Sequence, residues 1–254
     1  MLDIIIYIVG GLLAGIATGL VGLSAATIIA PLFATMLGMD VYLAIGIALA
    51  SDILASATSA VTYIYNKNIT FSSRSILFGI TVVLFAALGS YISKDANPYN
   101  LNATINIFVV ILGVRFIVYP VKNRGQDKLI RKGKLVFFQM IIWGIIIGMI
   151  SGYFGAGGGL SMLAVLTMLL NYQLKNGIGT SVFIMTFTAL IASIVHFAVG
   201  GIEWLPLIIT CATAFIGANI SSVFANKVSD KTLNITIGIF LILYGTSLVL
   251  VYYL

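Results

Sequence analysis

Apolar residues run along this chain in long blocks, separated by short polar punctuation. Candidate helices fall over 4–38, 43–65, 73–92, 102–119, 136–170, 177–199, 205–225 and 233–254. A helix needs roughly 20 apolar residues to cross a bilayer, and six of the blocks have about that length. The other two, 4–38 and 136–170, are about half as long again as one crossing needs, and each is interrupted by glycine. One stretch reads as soluble: 120–135, with Lys122, Arg124, Lys128, Arg131, Lys132 and Lys134, which divides the chain almost at its midpoint. The pattern predicts an all-α polytopic membrane protein with a first repeat over 1–119, a basic linker over 120–135 and a second repeat over 136–254.

Composition narrows this further. Only 8% of the 254 residues are charged and 61% are hydrophobic, whereas a soluble domain carries about 25% charged residues. Seven acids and thirteen bases cannot coat a soluble protein of this size, so the expected solvent is lipid and the expected location the cell membrane. Most soluble enzymes and secreted scaffolds are thereby excluded. The formal charge of +6 is not a nucleic-acid signal, because the bases sit in short loops and not along one face. Cys211 is alone inside an apolar run, which leaves no disulfide framework within the chain. No Lys or Arg precedes the first apolar block, so Met1 onward is expected to stay in the mature protein.

The midpoint linker prompts a search for an internal repeat. A shift of 133 residues lays Gly11, Gly15, Gly19 and Gly22 on Gly144, Gly148, Gly152 and Gly155, and Ile45-Gly46 on Ile178-Gly179. Five of the six glycines between residues 11 and 71 land on glycine, where chance predicts about one. Beyond residue 71 the register shifts slightly, and Gly89 then meets Gly217.

Charge decides what kind of repeat this is. Basic loops face the cytoplasm, which places the linker there. If each overlong block crosses once, the halves are parallel and Lys94, Lys175, Lys227 and Lys231 fall outside. If each block is instead a hairpin of two shorter helices, the halves are inverted. Lys67, Arg74, Lys175, Lys227, Lys231 and the linker are then cytoplasmic, with only Lys94 outside. The second arrangement fits better and explains the overlong blocks. The expected fold is therefore two inverted repeats, each a glycine-broken helical hairpin followed by three transmembrane helices.

The sharpest chemical feature is the glycine run Ser151-Gly152-Tyr153-Phe154-Gly155-Ala156-Gly157-Gly158-Gly159-Leu160-Ser161, opposite Thr18-Gly19-Leu20-Val21-Gly22-Leu23-Ser24-Ala25-Ala26-Thr27-Ile28 in the first half. Consecutive glycines do not hold a continuous helix well. A broken helix in lipid exposes backbone N–H groups, which is tolerated only inside protein or beside a wet cavity. Those groups and the positive end of the following helix suit an anion. Gly157, Gly158 and Gly159 are the leading candidates, since three successive glycines share no packing face. Gly11, Gly15 and Gly19 have the small-xxx-small spacing of helix packing instead. Hydroxyls at Ser24, Thr27, Ser161, Thr180 and Ser181 flank the breaks and could donate to an oxyanion, or bond back to a helical carbonyl.

Asp52 is the only acid deep inside a predicted span, which makes it a functional candidate, here for proton coupling. Ser56, Ser59 and Tyr63 continue it as a polar stripe, whose counterpart in the second half is Met185, Ala189, Ala192 and His196. His196, the only histidine, is a second proton-coupling candidate, with a packing role as the plainer alternative. A Ser–His catalytic motif, a second buried aspartate, a phosphate-binding loop and a metal-ligand cluster are all missing from the sequence. The expectation is thus a non-enzyme without cofactor or metal, driven by an ion or substrate gradient. Its expected partners are a small organic or inorganic anion and membrane lipid, not nucleic acid, with a homodimer left open.

These motifs resemble the TauE/SafE family of sulfite exporters and sulfonate permeases across essentially the whole length. The glycine series of both halves, Pro31-Leu32-Phe33, Ile178-Gly179-Thr180-Ser181 and Gly201-Ile202-Glu203-Trp204 carry the likeness. The resemblance implies movement of small sulfur-containing anions, such as sulfite or organosulfonates, across the cell membrane. This chain has Ser24-Ala25-Ala26 where the family usually has more glycine, and Ile47-Ala48 opposite Thr180-Ser181. The site is therefore expected to be asymmetric, with the second half supplying most anion contacts. A permease for another small anion, such as a carboxylate, and a non-transporting membrane scaffold are the alternatives.

Overall fold

The computed structural model describes residues 2–95, 114, 134–155 and 158–253. The predicted span 102–119 apart from Val114, residues 120–133 of the linker, and Gly157 lie outside the described residues. Among the described residues the regular elements are helices. They are α1 (Leu2–Val21), α2 (Ala26–Leu37), α3 (Val41–Tyr65), α4 (Ser73–Ile92), α5 (Lys134–Phe154), α6 (Gly158–Met168), α7 (Leu174–Gly200), α8 (Trp204–Lys227) and α9 (Asp230–Tyr253). Six of them, α1, α3, α4, α5, α7 and α8, are long and apolar enough to cross a membrane. Large apolar side chains point outward along them, among them Ile80, Leu84, Ile208 and Ile220. That arrangement is stable only with lipid as the solvent. The chain is a multi-pass, all-α membrane protein.

Each overlong apolar block is two helices. The first breaks after Val21, where Gly22 adopts φ +70° and ends α1 in the left-handed conformation that glycine takes without steric cost. The chain then folds back: the ring of Phe33 on α2 packs edge-on against Tyr7 on α1, with centroids 5.2 Å apart. The second block breaks at Gly155, with φ +62°, before α6 begins at Gly158. The repeat register extends to a position where the residues differ. Gly38 has φ +63°, and its counterpart Asn171 has φ +57°. Asparagine is the next most tolerant residue for that conformation.

Small residues bring the halves together. α1 lies along α8, and α5 lies along α4. A Cβ added at Gly11, Gly15 or Gly19 would run into Thr213, the Ala214 carbonyl or Ser221 of α8. A Cβ at Gly144 would stand 2.8 Å from Thr81, at Gly148 2.9 Å from Phe85, and at Gly152 it would strike the Ala86 carbonyl of α4. These stripes are close-packing seams, in keeping with small-xxx-small association in lipid. From the other side, Gly217 abuts Ile16 and Gly89 abuts Tyr153.

Between the seams, α3 and α7 pack against each other. Gly46 faces His196, the Ser56 hydroxyl is 3.1 Å from that of Thr186, and Gly179 faces Tyr63. The pairing runs in opposite directions along the two helices. At one end, Asn68 bonds Asn226 at 2.7 Å, and the Lys175 ammonium donates to the carbonyls of Asn226 (2.9 Å) and Val228 (2.7 Å). The start of α7 thus lies beside the ends of α3 and α8. Lys175 thereby satisfies carbonyls at the C-terminal end of α8.

Candidate functional site

The two helix breaks touch one another inside the protein. A Cβ on Gly159 would collide with the carbonyl of Gly22, and one on Gly155 would collide with Ile45 and sit 3.3 Å from Ala26. Only backbone can approach backbone this closely, so glycine is required where the breaks cross. The hydroxyl of Ser24 lies at the crossing, 2.8 Å from Oδ2 of Asp52 and 3.0 Å from the carbonyl of Gly155.

Asp52 sits on α3 and is fully buried. Its carboxyl reaches the first break, where the Ser24 hydroxyl donates to it. Thr18 is a further neighbour, with its hydroxyl 3.4 Å from Oδ1 and 2.8 Å from the Leu23 carbonyl. The N-terminus of α2, one of two offered by the sequence to an external anion, therefore already faces a carboxyl group of the protein itself. Hydrogen bonds and the field of a helix start partly offset the desolvation of a buried carboxylate held this way. The rest of the predicted stripe, Ser56, Ser59 and Tyr63, is fully buried as well, and Tyr63 donates to the Gly19 carbonyl at 3.1 Å.

The second break has a different lining. Met185, which the repeat register places opposite Asp52, brings its thioether sulfur to 2.9 Å from where a Gly159 Cβ would stand. A Cβ on Gly158 would meet the hydroxyl of Ser151, the repeat counterpart of Thr18. A methionine sulfur is a weak acceptor without charge, so it does not substitute for a carboxylate.

The other candidates are distributed unevenly. Ser181 stands at the first break, its hydroxyl 2.9 Å from where a Gly22 Cβ would be, and it donates to the Ile178 carbonyl at 2.9 Å. Thr27 is buried on the first turn of α2, and Ser161 is partly buried near the start of α6. Thr180 turns away from the breaks: its hydroxyl accepts from the Thr70 N–H at 3.2 Å, in the loop after α3. It also lines an apolar cavity of about 370 Å³ between α4 and α7, with Phe71, Ile80, Phe183 and Phe187. Gly157 lies outside the described residues.

His196 is buried but belongs to other surroundings. It stacks on Tyr42, with ring centroids 4.2 Å apart, and its Nδ1 is 3.0 Å from the Ala192 carbonyl. Its Nε2 has no hydrogen-bond partner among the described residues. Because α3 and α7 run in opposite directions, Gly46 faces His196, while Asp52 lies further along α3 at the breaks. Two residues at the crossing, Thr18 and Met185, were not among the sequence-derived candidates. The available signal was register: Thr18 lies one turn before Gly22, and Met185 lies opposite Asp52. No group of three or more metal-ligating side chains occurs among the described residues.

Comparison with known proteins agrees with a membrane protein. The family described as "Sulfite exporter TauE/SafE" matches residues 7–248. The "Probable membrane transporter protein YunE" of Bacillus subtilis (strain 168) is 27% identical over 270 aligned positions, covering 98% of both chains. The "Probable membrane transporter protein YdhB" of the same organism is 22% identical, over 84% of this chain and 87% of its own. The "Probable membrane transporter protein MJ0441" of Methanocaldococcus jannaschii is 27% identical over 73% of this chain and 69% of its own.

Proposed function

The chain belongs to the TauE/SafE family of membrane transporters, and on that footing we propose that it is a secondary transporter for a small sulfur-containing oxyanion, sulfite or an organosulfonate. The anion binds where the glycine-broken hairpins cross, within reach of the N–H groups that open α6 at Gly158 and Gly159. Ser161 and Ser181 are nearby hydroxyls, and Asp52 carries the coupling proton. One observation carries this reading: two helix breaks meet in the protein interior, and the Ser24 hydroxyl between them already donates to a carboxyl group. Backbone N–H groups at a helix start recognise an oxyanion without placing a cation in the membrane.

Two repeats of inverted topology rock about this crossing to give alternating access. The opposed pairing of α3 and α7 supports that arrangement. So does the gathering of Asn68, Lys175 and Asn226 at one end, which the hairpin topology makes cytoplasmic and the parallel topology splits between the two sides. A carboxylate permease is the second reading, favoured by the fit of the Asp52 carboxyl to the first break.

The test is flux into proteoliposomes containing the purified full-length chain. Labelled sulfite or an organosulfonate is expected to enter faster than into empty liposomes, and more slowly when unlabelled substrate competes. Selective entry of a carboxylate would move the assignment to the second reading. Entry of none of these above the empty-liposome rate would leave the glycines as packing devices of a scaffold.

A further inference from the structure

The two ends of the α3–α7 pair are closed by different chemistry. At one end the loop after α3, residues 68–72, is fixed to the second repeat. Asn68 bonds Asn226 at 2.7 Å, the Thr70 N–H donates to the Thr180 hydroxyl at 3.2 Å, and the Tyr172 hydroxyl lies 2.9 Å from that of Ser72. A Cβ at Gly179 would strike the Asn68 carbonyl, so the loop lies directly on the first turns of α7. Lys175 ties the start of α7 to the end of α8 through the carbonyls of Asn226 (2.9 Å) and Val228 (2.7 Å), which sets Asn226 in place for Asn68. The counterpart loop at the other end, 201–203, is exposed, and its hydrogen bonds among the described residues run only to the flanking turns of α7 and α8. A Cβ at Gly201 would meet none of the described residues within 4 Å. That end is closed by packing, with Tyr42 stacked on His196 and lying against Gly200.

We propose that residues 68–72 form a releasable strap over the cytoplasmic end of the route to the crossing, latched by Lys175, and that this conformation is the one closed on that side. This rests on the preceding reading, which makes this end cytoplasmic and gives the chain a route to the crossing. Beneath the strap lie Tyr63, which faces Gly179 and donates to the Gly19 carbonyl, and Ser181, which faces Gly22. The strap and the start of α7 therefore stand between that end and the first break. The contacts that hold the strap are hydrogen bonds at an end of the helices, and water can take over each of them once the loop lifts. Closure also leaves two buried atoms beside the strap, Nε of Arg74 and Oδ1 of Asn176, without hydrogen-bond partners among the described residues. Arg74 follows Ser72 by two residues, and Asn176 is the neighbour of Lys175. A buried polar atom without a partner carries a desolvation cost that hydration on opening removes. A permanent joint has nothing to gain by opening, whereas a gate needs closed and open states of similar free energy.

Thiol labelling of the full-length chain in sealed proteoliposomes tests this, with Cys211→Ser throughout and a membrane-impermeant maleimide applied to either face. Two single reporters are compared, Ser181→Cys beneath the strap and Ser193→Cys toward the other end of α7, both at buried positions. Lys175→Met keeps the aliphatic stem and removes the ammonium. It should speed cytoplasmic labelling at residue 181 at least about tenfold and leave residue 193 unchanged, while Lys175→Arg should label like the unaltered lysine. Asn68→Ala removes one bond of the strap and should speed labelling at residue 181 about threefold. It decides the matter if Lys175→Met fails to fold, as judged by size exclusion and melting. No rise at residue 181 in a folded variant, or an equal rise at both reporters, would overturn the strap. A rise confined to the external face would keep the strap and overturn its cytoplasmic placement. Bridging Asn68→Cys to Asn226→Cys with a short reducible bifunctional thiol reagent should lower flux at least about tenfold, and cleaving the bridge should restore it. Undiminished flux through the bridged chain would overturn the gating role. Absence of flux before bridging would sink the transport reading, while the labelling comparison still decides whether the strap opens.

Discussion

The first and second helix breaks open alike and differ in what lies against them. Both end a long helix on a left-handed glycine, and both lie on a helix seam made of small residues. Their supporting contacts correspond as well: Gly46 faces His196, and its counterpart Gly179 faces Tyr63, the counterpart of His196. Close approach of backbones is therefore common to the two halves. The chemistry is not, because the first break contains a carboxyl group and the second a thioether with two adjacent described glycines. On the reading proposed above, the external anion takes the second break, where Met185 stands in the place of Asp52.

The largest expected effect comes from closing the crossing. Gly159→Ala puts a methyl group into the carbonyl of Gly22, where both partners are backbone and neither can rotate away. Gly158→Ala meets the Ser151 hydroxyl and side chain, which can change rotamer. Flux should fall at least about 100-fold in the first variant and about tenfold or less in the second. Equal losses would show that the glycines serve general flexibility and not close contact at the crossing.

Asp52→Asn comes next. If this carboxyl carries the coupling proton, an imposed proton gradient should accelerate substrate entry in the unaltered chain, by about tenfold per unit of pH difference at most. The variant should be indifferent to the gradient while still binding anion. A preserved gradient response would remove Asp52 from proton coupling and leave it as a fixed charge alone.

A smaller effect tests the part of the comparison in which the halves are alike. Gly15→Ala drives a methyl group into the Ala214 carbonyl, and Gly152→Ala drives one into the Ala86 carbonyl. Each should lower stability by about 1–3 kcal/mol through overpacking of a seam. The two losses should be similar, as measured by thermal melting in detergent. A large difference would show that the two seams do not bear equally on the fold.

Much of this was legible in the sequence for physical reasons. Lipid demands long apolar helices, so the approximate bounds of the described spans follow from hydropathy; the block 73–92 coincides with α4. The glycines at 22 and 155 signal a break because a left-handed helix end rarely tolerates another residue. Asp52 stands out because a carboxyl in a span is expensive unless it is held. What the sequence could not say was which surfaces meet. A repeat aligns Gly15 with Gly148, but nothing in it specifies that α1 packs on α8 while α5 packs on α4, across the repeats. Thr180 and Ser181 are adjacent in sequence, yet a 100° turn of the helix sends one to the loop after α3 and the other to the first break. Thr18, Ser24 and Asp52 converge only once the hairpin has folded against α3.

The smallest effect concerns the counterparts Tyr63 and His196. Tyr63 donates a hydrogen bond to the last turn of α1, so Tyr63→Phe should cost about 0.5–1.5 kcal/mol of stability and leave the gradient response of flux unchanged. His196 stacks on Tyr42 and leaves Nε2 without a hydrogen-bond partner among the described residues. It faces Gly46, and no direct contact connects it to Asp52 at the breaks. A proton passing between them would need intervening water, which makes any relay through His196 an auxiliary one. His196→Gln should therefore slow gradient-driven flux by about twofold to fivefold, well short of the effect at Asp52. Unaltered flux together with a lower melting temperature would reduce His196 to a packing residue like its counterpart. The proton would then be left to Asp52, on the one break that has an acid.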